Sequence, residues 1–400
     1  MADRKASFAS QHWHPDDKVS YKLSFIEEVA AMAEYYFMNK DRKLMLFEVV
    51  YDEFGQYNCH EIERYAEDNL FPIGFSDIYT WIDRRNYAKH KEHLQKWLKE
   101  WQLDNISGFI DMTHALSLND TLWVTKADSD LTWDSVSLYT NEFTDVVSRT
   151  AFEKGLHGLK LSTTSPEFTS EGSFEKCWIR EDDGIYLYKK SSSGFANAGK
   201  EAYSEYYSTQ YSAALCDSYV DYDLVRFKGN LVSRCRMFTT EKEGFVPIYK
   251  YLNADKRYTF GELVKFFEPY GFDDDFRNMI VLDAAILNPD RHYGNFGFMV
   301  DNDTFEVLRF APVFDHNMAM LARAMTDDLA IDSPYIKEMG HKIGPDFIPA
   351  ARAMATDTMK ERLRKVYEEP LRLHEQYNLD RERTDFLNEI VHHQIREILS

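Results

Sequence analysis

The chain has 400 residues, beyond the roughly 250–300 at which a single hydrophobic core stops growing, so two or three lobes are expected. With 44% hydrophobic and 15% aromatic residues it can fill a sizeable core, which excludes a wholly disordered or fibrous protein. The formal net charge of −20 excludes a mechanism that relies on a broadly cationic surface to clamp nucleic acid or anionic lipid, and leaves room only for a local basic pocket.

Cys59, Cys177, Cys216 and Cys235 lie far apart with no CxxC pair, so neither a disulfide framework nor a cysteine zinc site is indicated and a reducing compartment fits. Nothing near Met1 reads as a basic segment followed by an apolar one. No run approaches 18 apolar residues, so a cytoplasmic location without membrane association is expected. No repeat of fixed period and no low-complexity tract is present.

Ile26, Val29, Ala33 and Phe37 recur at helical spacing, as do Leu94, Trp97, Leu98 and Trp101, and predict two amphipathic helices. Between them Leu44 to Tyr51 is rich in β-forming residues and predicts a strand; Thr121 to Thr125, after Asn119-Asp120, predicts another. This part is α+β and chemically quiet. His12 with His14 and His90 with His93 lack a third ligand at metal-binding spacing and read as surface histidines.

A polar stretch from Ser162 to Ser173 leads into two alternating runs, Cys177 to Arg180 and Ile185 to Lys189. Between them Asp183-Gly184 supplies the residues of a tight hairpin turn. After the Ser191-Ser192-Ser193-Gly194 connection, Tyr203, Tyr207, Gln210 and Ala214 predict a helix over Glu201 to Leu215. Lys189, ending the second strand, is thereby expected to meet a carboxylate on that helix, Glu205 ahead of Glu201.

The stretch from Asp283 to Asp315 is the most informative. Phe276, Met279, Ile280, Asp283 and Leu287 share a helical face, and Pro289 ends that helix while disfavouring helical geometry at Asn288. Asp290 and Asn295 bracket a short turn containing Gly294. Phe296 to Val300 and Thr304 to Phe310 then alternate around Asp301-Asn302-Asp303 as a second hairpin. A hairpin brings its ends together, so Asn295 before it and Asp315 after it should aim an amide oxygen and a carboxylate at one point, with Asp290 adjacent. Such hard oxygen donors suit Mg²⁺ with phosphate. Phosphoryl transfer needs a base, metal ligands and a phosphate-neutralising lysine, and Asp-x4-Asn followed by a second carboxylate repeats the order of kinase catalytic loops.

The run Asn288-x-Asp290-Arg291-His292-x-x-Asn295-Phe296-Gly297, with Ala311-Pro312-x-Phe314-Asp315 behind it, resembles the HipA-like serine/threonine kinase family. The resemblance extends to Glu171-Gly172-Ser173-Phe174-Glu175-Lys176, similar to the family's phosphate loop, to Tyr186-Leu187-Tyr188-Lys189 and to Ser204-Glu205, and covers roughly residues 160–320. It implies an α+β, two-lobed, protein-kinase-like fold. Residues 1–105 would form an α+β accessory region and 106–250 a nucleotide-binding N-lobe region. Residues 251–400 would form a mainly helical C-lobe ending in the helix of Leu387, Val391 and Ile398.

The resemblance further implies ATP and Mg²⁺ as cofactors, with Asp290 as catalytic base and Asn295 and Asp315 as Mg²⁺ ligands. His292 and Arg291 would complete the catalytic motif by holding its loop, and Gly172 and Ser173 would belong to the phosphate loop. Lys189 would contact the ATP phosphates, positioned by Glu205, with Lys176 and Lys190 as competing lysines. Asp283 would cap loop backbone donors, and the adenine hinge would lie near Arg234 to Phe238.

The implied activity is γ-phosphate transfer to a protein serine or threonine, including Thr169, Ser170 or Ser173 of the chain itself. A toxin–antitoxin setting with an antitoxin-like partner chain comes with the resemblance; no helix-turn-helix is apparent, so DNA would be bound by that other chain. Three alternatives stay open. Asp-Arg-His-x-x-Asn also resembles the loop of phosphoinositide kinases, a small-molecule acceptor fits the same chemistry, and a nucleotide-binding pseudokinase would act as an interaction module. The tyrosines of Tyr203 to Tyr211 accompany glutamate, serine and glutamine and read as core packing rather than base stacking.

Overall fold

The computed structural model describes residues 33–52, 54–85, 106–143 and 175–400. Ile26, Val29, the expected helix from Leu94 to Trp101, the four histidines His12, His14, His90 and His93, and the whole of Ser162 to Ser173 lie outside them.

Four antiparallel strands, β1 (Ala33–Asn39), β2 (Arg42–Tyr51), β3 (Tyr57–Arg64) and β4 (Leu122–Lys126), form a sheet in the order β3-β2-β1-β4. The helices α1 (Ile78–Arg85), α2 (Ile106–Thr113) and α3 (Trp133–Val136) belong to the same part of the chain. The strands expected around Leu44 to Tyr51 and Thr121 to Thr125 are β2 and β4. Ala33 and Phe37, expected on a helix, instead lie in β1. A separation of four residues fits a strand's period of two as well as a helical turn. Tyr35 and Phe37 point to the core with no exposure while Glu34 faces solvent, and Tyr35 stacks on Phe47 of β2 with ring centroids 5.7 Å apart.

The second sheet is built from β5 (Lys176–Glu181), β6 (Gly184–Lys190), β7 (Tyr222–Phe227) and β8 (Asn230–Arg236), in the order β5-β6-β8-β7, with α4 (Glu201–Leu215) between β6 and β7 in sequence. The hairpin turn falls on Asp182-Asp183, one residue earlier than the Asp-Gly pair suggested, and Gly184 pairs with Glu181 inside the ladder. A Cβ there would lie 3.0 Å from Nε of Arg236, whose guanidinium donates to the Asp183 carbonyl and would have to give way slightly.

The third sheet, β9 (Glu243–Pro247), β10 (Gly297–Asp301) and β11 (Val307–Phe310), is antiparallel in the order β11-β10-β9 and adjoins a helical body. That body contains α5 (Phe260–Phe267), α6 (Asp273–Ala285), α7 (Pro334–Lys337), α8 (Phe347–Met354), α9 (Asp357–Tyr367) and α10 (Arg381–Leu399). Helix α6 is buried from Asn278 to Ala285 on every side, as a helix at the centre of a lobe must be. Its core cluster includes Phe267, Leu363, Leu387 and Ile395, and also Tyr207, Tyr211 and Leu215 of α4, so α4 joins the second sheet to the helical body. The fold is α+β with antiparallel sheets. The four cysteines are buried and free, and no helix among the described residues is long and apolar enough to cross a membrane.

Candidate active site

Sheet two, the β8–β9 connection, the segments that precede and follow the β10–β11 hairpin, and residues Ser117 to Asn119 line a cavity of about 390 Å³. One set of lining groups is apolar and aromatic, including Leu187, Val220, Met237, Phe238 and Phe314; the other is polar and includes Lys176, Lys189, His292, Asn295, Asp315 and Asn317. Phe238 packs against Phe245 and Phe314 with centroids 5.7 and 5.3 Å away, which fixes the apolar wall where the chain leaves β8. Of the expected hinge, Cys235 to Phe238 line the cavity, while Arg234 pairs with Glu181 at 2.5 Å and covers the Tyr186 ring.

Lys189 sits near the end of β6, opposite Lys176 of β5 and Ser233 of β8. Its ammonium donates to Glu205 on α4 and, at 2.7 Å, to Asp315 Oδ1. Glu205 also accepts from the Ser233 hydroxyl. Burial alone would lower the Lys189 pKa, but the Asp315 and Glu205 carboxylates override it and hold the ammonium well above its usual range. Burial opposes ionisation of Asp315 too, and Lys189 outweighs it, so that carboxyl lies below the ordinary range. Glu205, more deeply buried and sharing the same cation with Asp315, is raised, first by burial. Glu201 pairs instead with Ser192 and Arg323, and Lys190 with Glu175 at 2.6 Å.

After α6 the chain turns through Leu287, whose φ of 54° is left-handed, and through Pro289 into the Asp290 loop. Arg291 is fully buried and grips Asp283 with two contacts of 2.9 Å. It also donates to the carbonyls of Asn295 and Phe314 and to His316 Nδ1. Asp283 therefore binds the Arg291 guanidinium and, at 2.9 Å, the Asn288 amide, rather than capping backbone donors. His292 accepts from the Gly294 N–H on Nδ1 at 3.0 Å, an arrangement that places the proton of a neutral ring on Nε2, and burial followed by the nearby Lys342 ammonium lowers its pKa.

Asn295 is nearly buried, and Asp315 follows the hairpin with a left-handed φ of 63°, its N–H donating to Tyr222 Oη at 3.1 Å. A non-glycine residue held in that region is the kind of backbone strain that functional sites retain. Asn295 and Asp315, on either side of the hairpin, both line the cavity. Among the described residues no group of three or more His, Cys, Asp or Glu side chains could hold a metal. The donor set is one carboxylate and one amide, which fits Mg²⁺ completed by phosphate oxygens and water rather than an all-protein cage.

Gly172 and Ser173 lie outside the described residues. The structure adds a residue that no motif signals: Lys342, whose Nζ lies 2.6 Å from Asp290 Oδ1. Ser204, which the resemblance includes beside Glu205, donates its hydroxyl to the carbonyls of His316 and, at 2.8 Å, Ala319, tying α4 to the Asp315 loop.

No protein-family model matches the chain, and no curated protein does. Solved structures similar to it include the following two. The Helicobacter pylori proinflammatory kinase CtkA is 17% identical, with 57% of this chain and 92% of that one covered at a TM-score of 0.46. HipA of a Shewanella oneidensis MR-1 toxin–antitoxin system, in a structure with HipB and operator DNA, is 12% identical, with 91% and 96% covered at a TM-score of 0.46. The chemistry of the site is carried by its own residues.

Proposed function

We propose that this chain is an ATP- and Mg²⁺-dependent, HipA-like kinase that transfers the γ-phosphate to a protein serine or threonine. The observation that supports it most is the Lys189 ammonium held between Glu205 and Asp315 at the polar end of an apolar cavity that Asn295 and His292 also line. The aromatic wall suits a purine and the polar end suits its phosphates.

In this reading Lys189 neutralises phosphate charge and Glu205 keeps its stem in place. The Asn295 amide oxygen and the Asp315 carboxylate would hold Mg²⁺, which would supply charge neutralisation on the phosphate oxygens. Asp290 accepts the proton of the acceptor hydroxyl as that oxygen bonds to the γ-phosphorus; the bond to the β–γ bridging oxygen breaks and its electron pair leaves with ADP. His292 and Arg291 hold the loop that carries the base. An antitoxin-like partner chain, through which any DNA contact would run, belongs to the same proposal.

The test is transfer of label from γ-labelled ATP, with and without Mg²⁺, to the protein itself and to a cell lysate. Mg²⁺-dependent label on serine or threonine is expected. Label in lipid or a small molecule would change the acceptor, and retained nucleotide binding without any transfer would replace the enzyme with a pseudokinase.

A further inference from the structure

Lys342 follows Asp290 by fifty-two positions and is set against it by a closed loop. Gly340 forms a β-bridge with Asp346, His341 N donates to the Pro345 carbonyl at 3.3 Å, and Gly344 N donates back to the His341 carbonyl at 3.3 Å. The His341 ring is buried between Phe260 and Phe347, at 5.2 and 4.7 Å, and a Cβ on Gly344 would lie 2.2 Å from the Phe260 ring. The loop is therefore clamped to the helical body on both sides of Lys342. The Lys342 and Asp290 side chains themselves are 51% and 39% exposed, and a pair so open to water contributes little to stability. Anchoring this firm for an ion pair this weak points to a role at the site.

The charges around it show what that role is. His292, two residues after Asp290, lines the cavity and feels the charges of Lys342, Asp290 and Asp315 together, so the Lys342–Asp290 pair lies beside the cavity wall rather than in it. A carboxylate base facing a phosphoryl group meets like charge unless a cation lies between them. Lys189 is committed to Glu205 and Asp315. A lysine suits the acceptor side, because a compact ammonium on a flexible stem can move between two anions without the fixed fork of an arginine.

We propose that Lys342 is a catalytic residue, its ammonium shared between the Asp290 carboxylate and the phosphoryl group during transfer. The inference rests on the kinase reading given above. As the acceptor oxygen bonds to phosphorus, its proton passes to Asp290 and the electron pair of the broken bond departs on ADP. Lys342 keeps all its protons and stabilises the negative charge on the transferring oxygens.

The test measures kcat and the KM for ATP of the full chain with labelled ATP and Mg²⁺ in the wild type, Lys342→Met and Lys342→Arg, together with thermal melting. Because Lys342 is half exposed, melting should be unchanged. The methionine variant should lose about 100-fold in kcat with the KM for ATP held within about 2-fold, and the arginine variant should recover part of the loss. A methionine variant with wild-type kcat, or with only a raised KM, overturns the proposal and leaves the kinase reading intact. Equal losses in kcat for Lys342→Met and Lys342→Arg would overturn it as well, since charge would then not be what matters. A wild type that binds nucleotide yet transfers nothing overturns the kinase reading, and this inference falls with it.

Discussion

Arg291 and Asp283 form a two-pronged ion pair with neither side chain exposed to solvent. The guanidinium that Asp283 holds also reaches the carbonyl of Asn295 at 3.2 Å and that of Phe314, the residue before Asp315. One side chain thus sets the backbone at both candidate metal ligands. Desolvation of two buried charges offsets most of their attraction, so the pair matters for position more than for net stability.

Removing one partner leaves the other charge buried and uncompensated. Asp283→Ala should therefore lose about 3–5 kcal/mol in urea unfolding. The double replacement Asp283→Leu with Arg291→Met should recover much of that stability while Mg²⁺-ATP affinity stays low. Wild-type affinity in a well-folded double variant would show that the guanidinium does not set the two loops.

Asp315→Ala and Asp290→Ala should fail in different ways. The first removes the charged metal ligand and one partner of Lys189, so calorimetry should show weakened Mg²⁺-ATP binding as well as lost transfer. The second should bind Mg²⁺-ATP normally and lose turnover, because its carboxylate lies at the loop that would face the acceptor. Unchanged binding and turnover in Asp315→Ala would remove it from the metal site, and normal turnover in Asp290→Ala would remove the base.

These groups were legible in the sequence because short-range topology brings them together. Asn295 and Asp315 flank one hairpin, and Lys189 and Glu205 lie on a strand and the helix that follows it. Lys342 was not legible, since its loop is closed by the Gly340–Asp346 bridge and by rings from α5 and α8, none of which leaves a periodic pattern. Asp283 shows a related limit. An acidic residue on an apolar helical face announces a buried partner, but spacing alone does not distinguish the Arg291 guanidinium from a row of backbone donors. In β1 the ambiguity was one of period, as the i, i+4 pair Ala33 and Phe37 satisfies both strand and helix.

Glu205 tests the phosphate lysine separately from the metal ligands. It is buried and bonded to both Lys189 and Ser233, so Glu205→Ala frees the ammonium from its α4 anchor and leaves it with Asp315 alone. Transfer should fall about 10- to 100-fold through misplacement of Lys189. Urea unfolding should change less than in Asp283→Ala, because Lys189 keeps a carboxylate partner. Wild-type transfer in Glu205→Ala would dismiss the ion pair as a functional element.

Acid should destabilise the fold through two buried histidines. Burial is the main cause that pushes His316 down to about 3 and His341 down to about 4, from an ordinary value near 6.5. Both are neutral in the folded chain at pH 5, whereas the unfolded chain binds protons there. The unfolded state thus holds more protons between about pH 6.5 and 4, and stability, complete above that window, is lost as pH falls through it. His316 bonds Arg291 and Ser212, so its replacement would disturb the site. His341 offers the cleaner test: neither ring nitrogen has a hydrogen-bond partner among the described residues, and the ring packs only on aromatics in the contacts described. His341→Met should keep its stability at pH 7 and flatten the pH dependence by up to about 1.4 kcal/mol per pH unit between pH 6 and 4.5. A slope identical to that of the wild type would mean that the imidazole takes its proton without leaving the folded state.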